Sequence, residues 1–222
     1  MEARLTGIDR AELLCYLRIR GALPEAEEAR IARCERLLLE TARPRVVWRL
    51  FDLLSDGSLA NCAYRPGGDD IRRLLADCDQ VILFAATLGS EAEALLRRAQ
   101  RRDMAEALIL DAAGSAAIEN VCDNLCAELA AAFAPRCLTE RFSPGYGDLP
   151  LSDQEPFFRA LDVSRRIGVS LSGSLLMTPQ KSVTALLGVS DRPQPRRGQG
   201  CAACGRERDC IYRREGTNCG LF

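Results

Sequence analysis

The stretch DMAEALILDAAGSAAIENVCDNLCAELAAAF, Asp103–Phe133, decides how the fold is read. Asp103 is placed to cap a helix, and no proline interrupts the apolar-rich run that follows as far as Phe133. The middle of this helix, LDAAGSAAIENVC, is dominated by very small side chains, so another part of the chain must approach its backbone closely. Asp111, Ser115 and Glu119 follow an i, i+4, i+8 path, which lines three polar groups along one side of an otherwise apolar segment. That row reads either as a helix edge facing water or as one wall of a ligand site.

Working outward from this helix, QVILFAAT (Gln80–Thr87) reads as a buried strand, and Gly89-Ser90 leads into a helix over Glu91–Arg102. Nearer the start, Asp9 caps a short helix reaching about Ile19, ended by Gly21, and Pro24 opens a longer one over Glu25–Thr41. Val46–Leu53 has strand character, with Leu59–Tyr64 as its expected partner. The turn Pro66-Gly67-Gly68-Asp69 starts a helix through Leu75. Downstream, Ser152 caps a helix through Ile167, and Val169–Leu176 and Ser182–Val189 are strand-like. Strands are few and irregularly spaced among helices, and no βαβ series appears. The spacing therefore predicts an α+β fold of long helices on a bent, largely antiparallel sheet. A Rossmann fold is not expected, because Gly145 and Gly147 lack the third glycine of its fingerprint. Residues 191–200, DRPQPRRGQG, read as a linker, leaving a main domain over 1–190 and a Cys-rich appendage over 201–222.

Composition narrows the function. The 222 residues are 47% apolar and carry 30 basic against 31 acidic side chains. That balance gives no electrostatic reason to expect a nucleic acid or a membrane surface as partner. With no secretory signal and no long apolar run, the expected location is the cytoplasm. There is no histidine, which excludes Ser-His-Asp and Cys-His catalysis and every histidine-bearing metal site. Of eleven cysteines, Cys15, Cys34, Cys62, Cys78, Cys122, Cys126 and Cys137 are scattered and read as small buried hydrophobes. The other four, Cys201, Cys204, Cys210 and Cys219, crowd the appendage with metal-ligand spacing. With no imidazole available, a tetrahedral site there would be all thiolate. An iron–sulfur cluster, structural zinc and unmetallated thiols all fit that spacing.

One segment points to a family. Arg141-Phe142-Ser143-Pro144-Gly145-Tyr146 has the spacing Arg-x-x-x-Gly-Tyr, followed by a proline and a helix. It resembles the activation domain of cobalamin-dependent methionine synthase, a family that binds S-adenosylmethionine with this loop. The segment IGVSLSGSLLMTPQKSVTALLGVSD, Ile167–Asp191, looks like the family's closing stretch, with Met-x-Pro and Ser-Val before the last strand. Glu119 falls where the family has a ligand-contacting glutamate. The resemblance covers Val81–Asp191 well and the first 80 residues loosely, and it fits best the free-standing versions of the domain.

The resemblance implies an S-adenosylmethionine site built from Glu119, Arg141, Ser143, Gly145 and Tyr146, with Lys181 as a further candidate in the turn before the last strand. The residue types suit the ligand: the guanidinium of Arg141 matches a carboxylate, and the ring of Tyr146 can pack near a sulfonium. It also implies a role. The chain would be a reactivation subunit of a methyltransferase system, restoring an inactive Co(II) corrinoid carried by a separate corrinoid-binding and homocysteine methyltransferase chain. A flavodoxin or ferredoxin would supply the electron. A non-catalytic module that senses or stores S-adenosylmethionine is the alternative.

Overall fold

The computed structural model describes residues 4–193. Cys201, Cys204, Cys210 and Cys219, the linker beyond Pro193 and the appendage boundary lie outside them. The centre of the fold is a four-stranded sheet of order β1-β2-β6-β3, made by Arg45–Asp52 (β1), Gln80–Thr87 (β2), Cys137–Leu138 (β3) and Ser182–Ser190 (β6). Every neighbouring pair is antiparallel, so the α+β expectation holds. A second, two-stranded antiparallel sheet pairs Ser170–Leu171 (β4) with Met177–Thr178 (β5).

Helices cover both faces of the main sheet, which explains why QVILFAAT is apolar throughout rather than alternating. Ile82, Phe84 and Ala86 pack with α1 (Arg10–Tyr16), α2 (Glu25–Thr41), α4 (Ser90–Gln100) and α5 (Met104–Phe133). Val81, Leu83 and Ala85 face the opposite core, made with α3 (Asp69–Leu74), α6 (Gln154–Leu161) and α7 (Val163–Ile167). The period-two pleat sends alternate residues of one strand into two separate cores.

Three expectations need correction. The partner of β1 is β2, paired in register from Arg45↔Thr87 to Asp52↔Gln80, and not Leu59–Tyr64. Leu59 makes only an isolated bridge to Leu53, in a loop whose backbone turns back on itself. The helix expected from Ser152 to Ile167 is a 3-10 turn at Leu151–Asp153 followed by two helices, broken at Asp162. Asp162 adopts the left-handed region (φ 52°, ψ 46°), which aspartate tolerates better than most residues. Finally, Val169–Leu176 supplies only the short strand Ser170–Leu171.

None of the seven scattered cysteines is in a disulfide among the described residues. Cys34 and Cys122 are buried and four are partly buried, but Cys15 is exposed, so it is not the buried hydrophobe expected. The small residues of α5 meet the close approach they imply. The aliphatic stem of Lys181 lies over Gly114, where an added Cβ would sit 3.1 Å from both Cγ and Cε.

A candidate ligand cleft at the start of the last strand

After β3 the chain continues along β6. Thr139 N donates to the Gly188 carbonyl at 2.9 Å, and Phe142 exchanges backbone hydrogen bonds with Leu186 at 3.0 and 2.8 Å. This pairing fixes Arg141 and Phe142 beside the last strand. The chain then turns sharply. Tyr146 N donates to the Ser143 carbonyl at 3.1 Å, and Gly145 N donates to the Leu149 carbonyl at 2.9 Å. Gly145 has φ +92°, a conformation open to glycine and strained for other residues. Its amide is thus used within the loop. Gly147 is also left-handed (φ +52°), and a Cβ there would collide with the Asp70 carboxylate. Asp148 pins the turn to α3, accepting from the amides of Asp69 at 2.6 Å and Asp70 at 3.1 Å.

Between this loop, α5 and the beginning of β6 lies a cleft of about 450 Å³. Glu119, Arg141, Ser143 and Tyr146 line it, so four of the six candidate residues come together. Its apolar walls include Phe142, Met177 and Val183. Tyr146 is 66% exposed and its ring is available at the rim. Gly145 belongs to the same turn without lining the cleft. Lys181 points elsewhere: its Nζ pairs with Asp111 at 2.8 Å and donates to Ser115 Oγ at 2.9 Å. The row Asp111, Ser115, Glu119 is therefore divided, its first two members holding a lysine and the third facing the cleft.

Arg141 is the electrostatic centre of the site. Its guanidinium pairs with Glu119 and, at 2.5 Å, with Asp123. Burial works against its charge, but the facing carboxylates outweigh burial and shift its pKa upward. Burial also pushes up the thiols of Cys122 and Cys126 beside it, which keeps them protonated. α1 brings a further acid: burial raises the pKa of Glu12, and the charges of Glu119 and Asp123 add to that rise. Tyr16 donates to Glu12 at 3.1 Å. The surroundings of Arg141 are thus acidic, with Glu119 lining the cleft and Asp123 and Glu12 behind it, which suits a ligand bearing more positive than negative charge.

Two parts of this site escape the sequence reading. One is the N-terminal segment that leads into α1, held along α5 by Thr6 N donating to Asn120 Oδ1 at 3.0 Å and by Asn124 donating to the Arg4 carbonyl at 3.0 Å. Asn120 and Asn124, polar residues one turn apart on an apolar helix, are the sequence signal for that contact. The other is Gln154, the first residue of α6, which lines the cleft and is only 6% exposed. Nothing in its local sequence marks it. Among the described residues no group of three or more Cys, Asp or Glu side chains is arranged to hold a metal ion, and no helix is long and apolar enough to cross a membrane.

No protein-family model matches the chain, and neither does any curated protein. A crystal structure of the MetH reactivation domain bound to AdoHcy does match, with a TM-score of 0.60 over 96% of this chain and 82% of that one. Sequence identity over the match is 16%, so what the two share is the fold.

Proposed function

We propose that the chain binds S-adenosylmethionine in the cleft beside Arg141 and acts as the reactivation subunit of a cobalamin-dependent methionine synthase. The observation that carries this reading is the joining of two independent facts. The fold is that of a domain whose crystal structure holds AdoHcy, and the Arg-x-x-x-Gly-Tyr loop forms a wall of a cleft of ligand size.

The residues fit the ligand. An α-amino acid head group carries a carboxylate and an ammonium. Arg141, Glu119 and Asp123 already form a paired set of opposite signs. The ligand carboxylate can join the guanidinium while the ammonium takes up an acid that the guanidinium releases, so no charge is left unpaired. The sulfonium adds a positive charge to a site where acids outnumber the one arginine, with the ring of Tyr146 lining the same cleft for a cation–π contact. Phe142, Met177 and Val183 offer apolar surface for the nucleoside.

S-adenosylmethionine supplies an electrophilic methyl group. The residues of this chain bind and orient it and shield it from water, and none needs to move a proton. That fits a chain without histidine. The methyl acceptor would be the Co(I) corrinoid of a partner chain, reached when one electron from a flavodoxin or ferredoxin reduces its inactive Co(II) form, and methyl transfer would leave methyl-Co(III) and S-adenosylhomocysteine. Titration calorimetry of the full chain with S-adenosylmethionine and S-adenosylhomocysteine tests the binding. Spectroscopic return of a partner's Co(II) corrinoid to the methylated state tests the role. Binding without reactivation would favour the sensing or storage module instead.

A further inference from the structure

The main sheet has an open edge that shares no lining residue with the cleft. In the order β1-β2-β6-β3, β1 has a neighbour on one side only. Backbone groups along an antiparallel strand point alternately toward one flank and the other. Leu53 N donates to the Asp79 carbonyl on the β2 side, and the Asp52 carbonyl accepts from Ala60 N on the other. The same alternation turns the N–H and C=O groups of Val46, Trp48 and Leu50 outward, and among the described residues no backbone group pairs with them. Beside this edge, between β1 and helices α6 and α7, lies a groove of about 390 Å³ lined by Val47, Trp48 and Arg49 and by Arg159, Arg165 and Arg166. Its one acid, Asp162, is already paired with Arg165 at 2.5 Å. Arg159 has a loose partner, Glu155 at 3.8 Å, while Arg49 lies over the Phe51 ring, 5.0 Å from its centroid, and like Arg166 forms no ion pair among the described residues. Arg45, on the same face of β1 as Arg49, extends the basic row.

Charges flanking an open edge repel any strand that brings the same sign. A second copy would set its own arginines against these. Residues 194–222 carry six arginines against three acids, so the chain's own C-terminal part is no better matched. Carboxylates are matched: guanidinium forks pair with them, while the open amides and carbonyls of the edge pair with a peptide backbone. A nucleic acid would use the charge and leave those backbone groups unpaired. We propose that the β1 edge and this groove dock an extended acidic segment of a partner protein, which adds as a strand against residues 46–50 and sets its carboxylates on Arg49, Arg159 and Arg166. The inference is independent of the S-adenosylmethionine reading.

The test uses Trp48, the single tryptophan of the chain, whose emission reports on the edge. The full chain is titrated with a peptide of alternating Glu and Thr, with the matching Lys and Thr peptide, and with a single-stranded oligonucleotide. The acidic peptide should bind saturably, weaken as salt rises, and slow hydrogen exchange at the amides of Trp48 and Leu50. The basic peptide should not bind. Arg49→Glu combined with Arg166→Glu should weaken the acidic peptide about tenfold or more and admit the basic one. Both side chains are exposed, and thermal unfolding checks that the double variant keeps its fold. Failure of the acidic peptide to bind, binding that ignores peptide charge, or tighter binding of the oligonucleotide without protection of these amides overturns the proposal. Each of these outcomes leaves ligand binding in the cleft untouched.

Discussion

Replacing Arg141 by alanine removes one guanidinium from two carboxylates, and the structure sets the size of both consequences. In the free protein, Asp123 is 69% exposed and its pair with Arg141 is worth little, on the order of 0.2–1 kcal/mol. Glu119 is only 32% exposed and lies beside the acids Glu12 and Asp123, so its loss of a partner weighs more. Together the two should cost about 1–2 kcal/mol, or a fall of about 2–8 °C in melting temperature for a chain of this size. The effect on binding is larger. The ligand carboxylate would enter a cleft lined by Glu119 with no cation to meet it. Truncating one side of a desolvated charge pair costs 2 kcal/mol or more, and the partial exposure here holds the estimate to about 2–3 kcal/mol, roughly 30- to 150-fold in Kd. Calorimetry with S-adenosylhomocysteine, paired with thermal unfolding, separates the two effects. Asp123→Asn is the informative companion. It frees one face of the guanidinium, so affinity should hold or rise although an acid has been removed. Equal affinity in Arg141→Ala and wild type would remove Arg141 from the site and, with it, the carboxylate argument.

Asp148→Ala removes the acceptor for two amides at the start of α3, which should cost about 1 kcal/mol and lower the melting temperature by a few degrees. An unchanged melting curve would mean that the turn is not held from α3. Glu12 has a pKa raised above its ordinary value of 4.5 by burial, opposed by the hydrogen bond from Tyr16 and reinforced by nearby acids. The stability it contributes is complete below its unfolded pKa and is lost as pH rises through its higher folded pKa. Melting temperature should therefore fall less steeply between about pH 4 and 7 in Glu12→Gln than in wild type, and parallel curves would refute the assignment. For the appendage, metal analysis and an absorption spectrum on anaerobically purified full chain should find metal that disappears when Cys204 is replaced by serine. Iron with visible charge-transfer bands would assign a cluster, colourless zinc a structural site, and a metal-free protein would refute ligation by the tail.

The parts of the fold legible in the sequence were those governed by local rules. Pro24 and Asp103 set the starts of α2 and α5 because capping acts within one turn. QVILFAAT revealed a strand buried on both faces because its own composition records both environments. Pairing choices are different in kind. Nothing within Leu59–Tyr64 tells that β1 will bypass it for Gln80–Thr87, since that choice is made by the two cores that form across the sheet. The site divides along the same line. The family resemblance of the loop pointed to Glu119, Arg141, Ser143 and Tyr146, and the structure brings these four to one cleft. The sequence could not show that Arg141 and Glu119 are partners before any ligand arrives. That pairing follows from α5 and β6 being packed side by side, which places residues 22 positions apart at one ion pair. It also alters the chemistry expected of the site. A lone arginine would attract any anion, whereas an arginine already balanced by acids favours a guest that brings both signs of charge and exchanges partners with both. The proposed selectivity for a zwitterionic head group would therefore reside in the packing of the helix against the strand, and substitutions that shift α5, such as enlarging Gly114 beneath Lys181, should weaken it without touching the cleft.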